Sequence, residues 1–477
     1  MEKLFIFKFG GSCFKDNSSL KNTITIINEF QKQAKIVIVT SAFQGITDKL
    51  IEWMEFTKSD RTIEESLEKL KSIQNFHEDI LNKTIKNLSI KQEVLKFINE
   101  KFEELKHCIP ILIEKVDTAK DKDFILSYGE RLSTFIFAKY LESMNIASEF
   151  ISADDNFIIT DNNFGNSLPI LKRIEHSIPS RLIKILERKK IPVITGYYAI
   201  SEDNFVTTLG RGGSDFSATI IAYSISEYYD TTIIFWKDVS GLLSAPPKFE
   251  PHAKLIKYLS FKEAKELAFF GSKILHPLCL NLAEKKKIKV QIRNFEDPFN
   301  DEFTTITTEK IENGYIIKAI TALENIAMVT IEGESMVSLP GVAAKIFSLI
   351  AENNININFI SQSSSENNIT FGVSESDGFK VGDVLANSDY FGTRWLKVKV
   401  DYDVSLVAVV GEGMQYRKGV AGKVFTTLGD AEVNIIAISQ GSSELNITFV
   451  IKREDLKNAI QSIYHKLIKM NEKTNHK

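Results

Sequence analysis

The sequence predicts an α/β domain built on a mainly parallel sheet, followed by two copies of a smaller α+β unit. Three observations carry this reading. Short apolar runs alternate with helical segments and glycine turns through the first three hundred residues. A long stretch between residues 60 and 120 is rich in Lys, Glu, Leu and Ile and nearly free of Gly and Pro. The last third repeats itself at a constant offset of 78 residues. A chain of 477 residues with 43% hydrophobic content is long enough for several domains and can bury large cores.

In chain order, LFIFKF reads as a buried strand and KIVIVTSAF as a second, with helical spacing over residues 18 to 33 between them. Strand, glycine turn, helix, strand is the order of a parallel sheet covered by helices. Residues 60 to 120 read as two or three helices inserted into that domain. The runs IPVIT and TIIFW resume the sheet. The domain is expected to span residues 1–300, closing near NFEDP at 294 to 298. A linker over 301–322 then leads into the repeats, 323–400 and 401–477.

The repeat pairs Gly341 with Gly419, Phe347 with Phe425, Asn356 with Asn434, Gln362 with Gln440 and Glu366 with Glu444. Each copy reads as glycine turn, amphipathic helix, strand, polar turn, strand. The polar SQ…SSE turn recurs along with the apolar pattern, and packing alone does not demand it. Two such units can pair pseudo-symmetrically and leave ligand pockets at their junction.

Composition excludes several classes. The net charge is -3, and the basic runs at 188 to 190 and 285 to 287 are short, as at solvated helix ends. No nucleic-acid partner is expected. Cys13, Cys108 and Cys279 lie far apart, which gives neither a disulfide framework nor zinc spacing and fits a reducing compartment. MEKLFIFKFGG lacks the layout of a signal peptide, and no run reaches membrane-span length. A cytoplasmic location with no membrane partner is expected, and no resident metal site.

Five motifs carry chemistry. In KFGGS, residues 8 to 12, paired glycines at a strand end let backbone N–H groups approach a phosphate, with Lys8 in reach of its oxygens. A Gly-Gly pair alone is common in turns, and no GxxxxGK run is present. In TTLGRGGSDFSA, residues 207 to 218, Arg211 offers a fork for a carboxylate and Ser214 a contact for a second anionic group. Asp215 can hold the amine of a zwitterion, position reacting groups, or both. Glu130, in LSYGERLST, taken alone reads as a helix-start charge. Ser41 and Thr47, in TSAFQGITDKL, suit either polar contacts or helix capping. In WKDVSGLL and GSKILHP, Asp238 is placed to face a nucleotide and Lys273 to neutralise phosphate charge. His276 has no metal-ligand partner nearby and reads as structural.

Together, KFGGS, SAFQGITDKL, SYGE, LGRGGSD, WKDVSG and GSKILHP resemble the aspartate kinases, a family within the amino-acid kinases. The resemblance covers nearly the whole chain, and its two C-terminal units look like ACT domains. It implies a three-layer amino-acid-kinase fold followed by two ferredoxin-like units. It implies phosphorylation of the L-aspartate β-carboxylate by ATP with Mg²⁺, the opening step of lysine, threonine and methionine synthesis. Lys8 and Asp215 would be catalytic, and Gly10, Gly11 and Ser12 would contact phosphates. Ser41, Thr47, Glu130, Tyr197, Arg211 and Ser214 would line the aspartate pocket, with Tyr197 standing where the family usually has phenylalanine. Asp238, Lys248 and Lys273 would serve the nucleotide.

The chain departs from the family at Lys237 for threonine, Leu243 for tyrosine, Pro246 for aspartate and Lys248 for arginine. These departures bear on nucleotide affinity and base preference. Gln362 and Gln440 resemble the threonine-responsive kinases, so threonine is the expected effector and lysine the alternative, with Asn356 and Asn434 as further contacts. No fused dehydrogenase is expected after residue 477. ACT units imply a homodimer or higher even oligomer. The competing readings are a non-catalytic amino-acid sensor and a kinase for glutamate or N-acetylglutamate.

Overall fold

Alternation along a single strand sets the layering of the N-terminal domain. In the strand Lys3–Phe9 (β1), Phe7 and Phe9 point to one face and Lys8 to the other, because successive side chains alternate. Phe7 meets Phe30 with ring centroids 5.5 Å apart, and Phe9 meets Phe137 at 6.3 Å. Those partners lie on the helices Asn17–Phe30 and Tyr128–Ser143, which therefore cover the first face. The helix Gly213–Ile225 is buried along its whole length and packs against β1 on the other.

The computed structural model describes residues 1–469 apart from 60, 271–274, 310–314, 334–335, 337–339, 364–366 and 389–395. Besides β1, the first domain contains β2 (Lys35–Thr40), β3 (Ser148–Ile151), β4 (Ile159–Thr160), β5 (Ile191–Thr195), β6 (Tyr198–Ser201), β7 (Val206–Thr208), β8 (Asp230–Lys237), β9 (Tyr258–Ser260), β10 (Lys289–Asn294) and β11 (Thr304–Thr307). Eight of these form a sheet in the order β3-β5-β2-β1-β8-β10-β11-β9. Every pairing in it is parallel except β10 with β11. The sheet is thus mainly parallel, with helices on both faces, as the apolar runs predicted. A small second sheet runs β4-β6-β7.

Between residues 63 and 113 the chain forms the helices Ile63–Thr84, Leu88–Lys106 and the short Ile109–Ile113. The first starts at a capping box, where Thr62 accepts from the Glu65 N–H and Glu65 accepts from the Thr62 N–H. Val94, Ile98, Phe102 and Leu105 recur at helical spacing on the second, and all are buried.

The C-terminal repeats form one six-stranded antiparallel sheet from β12 (Ala319–Glu332), β13 (Phe359–Gln362), β14 (Asn368–Ser374), β15 (Lys397–Val410), β16 (Ala437–Ser439) and β17 (Asn446–Lys452), in the order β13-β14-β12-β15-β17-β16. The long strands β12 and β15 pair centrally and join the two units. The offset of 78 is structural. Gly341 and Gly419 both cap helices, with φ of 92° and 84°. Val329, Ile346 and Phe371 in one core correspond to Val407, Val424 and Phe449 in the other.

The chain divides into two compact units. The first comprises residues 1–242, 257–261 and 274–310. The second comprises 243–256, 262–273 and 311–477, so two strips that precede the repeats in sequence belong to the same unit as the repeats. Among the described residues no helix is long and apolar enough to cross a membrane.

Candidate functional site

The site lies in the first unit, where the C-terminal ends of β1 and β2 meet the first turns of two helices. A cavity of about 750 Å³ opens there. Lys8, Gly11, Ser41, Thr47, Glu130, Tyr197, Arg211, Ser214 and Asp215 all contribute to its wall. They come from five separate segments, and the sheet brings them together because its parallel strands, β1 and β2 among them, end on one side.

The register of β1 against β8 places the charged core of the site. Lys8 stands opposite Phe235. Paired residues on neighbouring strands point to the same face, and Lys237 lies two positions beyond Phe235, so both lysines project toward the Gly213–Ile225 helix. Asp215 sits in that helix's first turn. Its Oδ1 lies 2.8 Å from Lys8 Nζ and its Oδ2 accepts from Lys237 Nζ at 2.7 Å. Burial pushes the Asp215 carboxyl up, but the two ammonium groups outweigh burial and hold it at about 2. With both oxygens held by lysines, Asp215 fits the positioning role of the two left open by its sequence.

Glu130 opens the helix Tyr128–Ser143, which three contacts dock onto the end of β2. Glu130 Oε1 accepts from the Ala42 N–H at 3.0 Å. Ser133 Oγ donates to the Ser41 carbonyl at 2.8 Å, and Thr134 Oγ1 lies 2.6 Å from Thr40 Oγ1. Glu130 Oε2 is buried and has no partner among the described residues. Burial raises this carboxyl to about 8, against the lowering effects of the Ala42 N–H and Lys8. An unpartnered carboxyl oxygen in a cavity wall suits a cationic amine, whose charge favours the ionised form.

The loop before Asp215 is shaped by its backbone. Gly212 takes the left-handed conformation, φ 73°, at the helix start. Gly196 leaves no room for a side chain, since a Cβ there would stand 2.7 Å from the Thr40 carbonyl oxygen and 2.8 Å from Ser214 Cβ. Tyr197 follows it with φ 68°, an unusual conformation for an aromatic residue. Its N–H donates to Ser217 Oγ and its carbonyl accepts from Leu209 N–H, which hold it there. Arg211 is exposed in the cavity wall and has no ion-pair partner among the described residues.

Other expected residues lie elsewhere. Gly10 and Ser12 flank Gly11 at the short 3-10 turn Gly11–Phe14 but do not line the cavity. Asp238 is exposed just after β8. Lys248 lies in the second unit, where its Nζ pairs with Glu324 at 2.6 Å. Lys273 falls outside the described residues. His276 is structural here: its Nδ1 caps the helix Pro277–Lys285 by accepting from the Leu278 N–H. In the second unit, Gln362 ends β13 and Gln440 follows β16, and both are exposed, as are Asn356 and Asn434. No group of three or more His, Cys, Asp or Glu side chains is placed to hold a metal ion among the described residues.

Two site residues escaped the sequence. Asp123, buried in a cavity wall, accepts from the N–H groups of Gly165 and Thr208 and from Thr208 Oγ1, each at 2.8 Å. Its polar neighbours in DKDF give no sign of this. Lys237 was visible only as a departure from the family pattern.

The fold is therefore that of an α/β enzyme, with a cavity lined by charged side chains at the strand ends. The amino acid kinase family model matches residues 3–294, and the chain belongs to that family. The ACT domain model matches residues 329–388 and 407–467, one for each repeat. The bifunctional aspartokinase/homoserine dehydrogenase of Buchnera aphidicola is 31% identical over 99% of this chain and 57% of its own length. Aspartokinase 1, chloroplastic, of Arabidopsis thaliana is 27% identical over 96% of this chain and 79% of its own. The structure of E. coli aspartokinase III in complex with aspartate and ADP, an R-state, superposes with a TM-score of 0.81 and 25% identity, covering 98% of this chain and all of that one. The chain spans little more than half the length of the bifunctional relatives.

Proposed function

We propose that the chain transfers the γ-phosphoryl group of ATP to the β-carboxylate of L-aspartate, giving 4-phospho-L-aspartate. One observation carries the reading. The cavity gathers Lys8, Arg211 and Glu130, two cations and an open carboxylate, around an Asp215 already fixed by lysines. Such a wall suits a zwitterion with a second carboxylate that must meet a phosphate.

The β-carboxylate is ionised at neutral pH, so its attack on phosphorus needs no general base. It needs alignment and relief of repulsion between anions. Lys8 and the amides around Gly11 supply that relief, and Mg²⁺ enters with ATP as part of the co-substrate. Arg211 takes the α-carboxylate, Glu130 Oε2 the amine, and Ser41, Thr47, Tyr197 and Ser214 shape the pocket. Asp215 keeps Lys8 in place. Gly10, Ser12, Asp238, Lys248 and Lys273 belong to the nucleotide side of this reading.

Threonine is the proposed inhibitor, bound by the repeats near Gln362 and Gln440, with Asn356 and Asn434 beside them. A homodimer or higher even oligomer is supported by Ile360 and Ile438. These equivalent residues of the two repeats lie on edge strands and are 46% and 45% exposed. The test is ADP release from Mg-ATP with L-aspartate, beside L-glutamate, with threonine or lysine added. Aspartate-dependent turnover suppressed by threonine is the expected result. Suppression by lysine replaces the effector, and turnover with glutamate alone replaces the substrate.

A further inference from the structure

We infer that Lys237 is a positioning residue for phosphoryl transfer. By binding one oxygen of Asp215 it leaves the other as a fixed rest for Lys8, and it gives the cluster a net positive charge. The inference rests on the reaction proposed above.

The geometry separates Lys237 from the groups that would touch substrate. Lys8 and Asp215 line the cavity, whereas Lys237 does not. Its side chain keeps 18% exposure, against 9% for Lys8 and 6% for Asp215. Lys237 is the last residue of β8, and its carbonyl accepts from the Phe295 N–H at 2.9 Å, which fixes its backbone against the next strand. Its hydrogen bond to Asp215 Oδ2 ties it to the residue on which Lys8 rests.

The charge count explains what that is. Lys8 and Asp215 alone form a neutral pair, and a neutral pair attracts an incoming phosphate weakly. A second ammonium makes the cluster cationic. An ammonium has three N–H donors. With Asp215 Oδ2 accepting from Lys237, Lys8 rests against Oδ1 as an ion pair at 2.8 Å and keeps N–H donors for phosphoryl oxygens.

Few other titratable groups face Asp215 among the described residues. His276 lies on the neighbouring helix start, and burial lowers its basicity. The thiols of Cys279 and Cys13 are both pushed up to about 12 by burial and stay protonated. Lys237 and Lys8 together oppose burial and keep Asp215 ionised.

The experiment compares Lys237→Met, Lys237→Thr and Lys237→Arg with the unaltered chain. It measures kcat and KM across pH, and ATP affinity by calorimetry without aspartate. Melting curves confirm that each variant is folded. The Met and Thr variants are expected to lose about tenfold or more in kcat, with KM for aspartate within about twofold. Their ATP affinity should fall. Arg should restore both kcat and ATP affinity. Unchanged kcat and ATP affinity in Lys237→Met would overturn the inference, and so would an Arg variant as impaired as Met. If the unaltered chain turns over no aspartate, the reaction proposal falls by itself. The ATP affinities of the Met and Arg variants then decide for or against Lys237.

Discussion

Glu130 is the residue at which stability and binding pull in opposite directions. Its folded value of about 8 stands above the ordinary 4.5. The folded state is therefore favoured by this group below pH 4.5, and that advantage is lost as pH rises through 8. Glu130→Gln should stabilise the ligand-free chain at pH 8.5, by an amount on the order of a few kcal/mol, and barely at pH 4.5. Urea denaturation at the two pH values checks this. The same variant should lose at least about tenfold in kcat/KM for aspartate, since a charged partner for the amine is gone. In the unaltered chain, KM for aspartate should rise toward about tenfold per unit as pH falls below 8. A flat KM between pH 6 and 8.5 removes Glu130 from the amine. Asp215 runs the other way. Its value of about 2 lies below 3.8, so its contribution is present above pH 3.8 and is lost as pH falls through 2. Asp215→Asn should lower kcat by about a hundredfold or more, because Lys8 and Lys237 lose the anion between them.

At the scale of elements, the site depends on the close seating of the Gly213–Ile225 helix against the end of β2. Gly196 is the point of contact, and its absent Cβ is what lets Ser214 approach Thr40. Gly196→Ala should cost about 1–3 kcal/mol by overpacking and should lower aspartate affinity, because Ser214 and Tyr197 move together. Thermal melts with and without aspartate separate the two effects. The strands were legible because each is a short apolar run bounded by polar or glycine residues, as in IPVIT before Gly196. The docking of the Tyr128–Ser143 helix was not legible. Ser133 and Thr134 look like ordinary helix hydroxyls until Ser41 and Thr40, at the end of β2, supply their partners from 92 and 94 residues away.

For the molecule as a whole, the strips 243–256 and 262–273 tie the sequence order and the structural units together. Within the second unit, Glu263 pairs with Lys318 at 2.7 Å and accepts from the Glu412 N–H at 2.9 Å, and its side chain is fully buried. Tyr464 donates to the His252 carbonyl, and Gln461 to that of Phe249. A chain ended after residue 310 strips these partners away and leaves both strips without the unit they pack in. It should melt at a lower temperature than the full chain and should aggregate on heating. Equal melting of the two lengths would refute this. The association surface is tested separately. Changing Ile360 and Ile438 together to Asp should shift the sedimentation of the chain to a smaller species, with aspartate turnover kept and threonine inhibition weakened.

The sequence by itself determined the fold class, because apolar periodicity is a local property. Its motifs, taken together as a resemblance, named nine residues that the cavity wall brings together. It also determined the repeat, because two copies of one core must conserve the same spacing of apolar residues. Only the tertiary structure decided how charge is shared. That Asp215 rests between Lys8 and Lys237, that Asp123 holds Gly165 and Thr208, and that Glu130 keeps one oxygen open are facts about residues far apart in the chain. Burial and partner distance set the ionisation of each, and neither is written in the neighbouring residues.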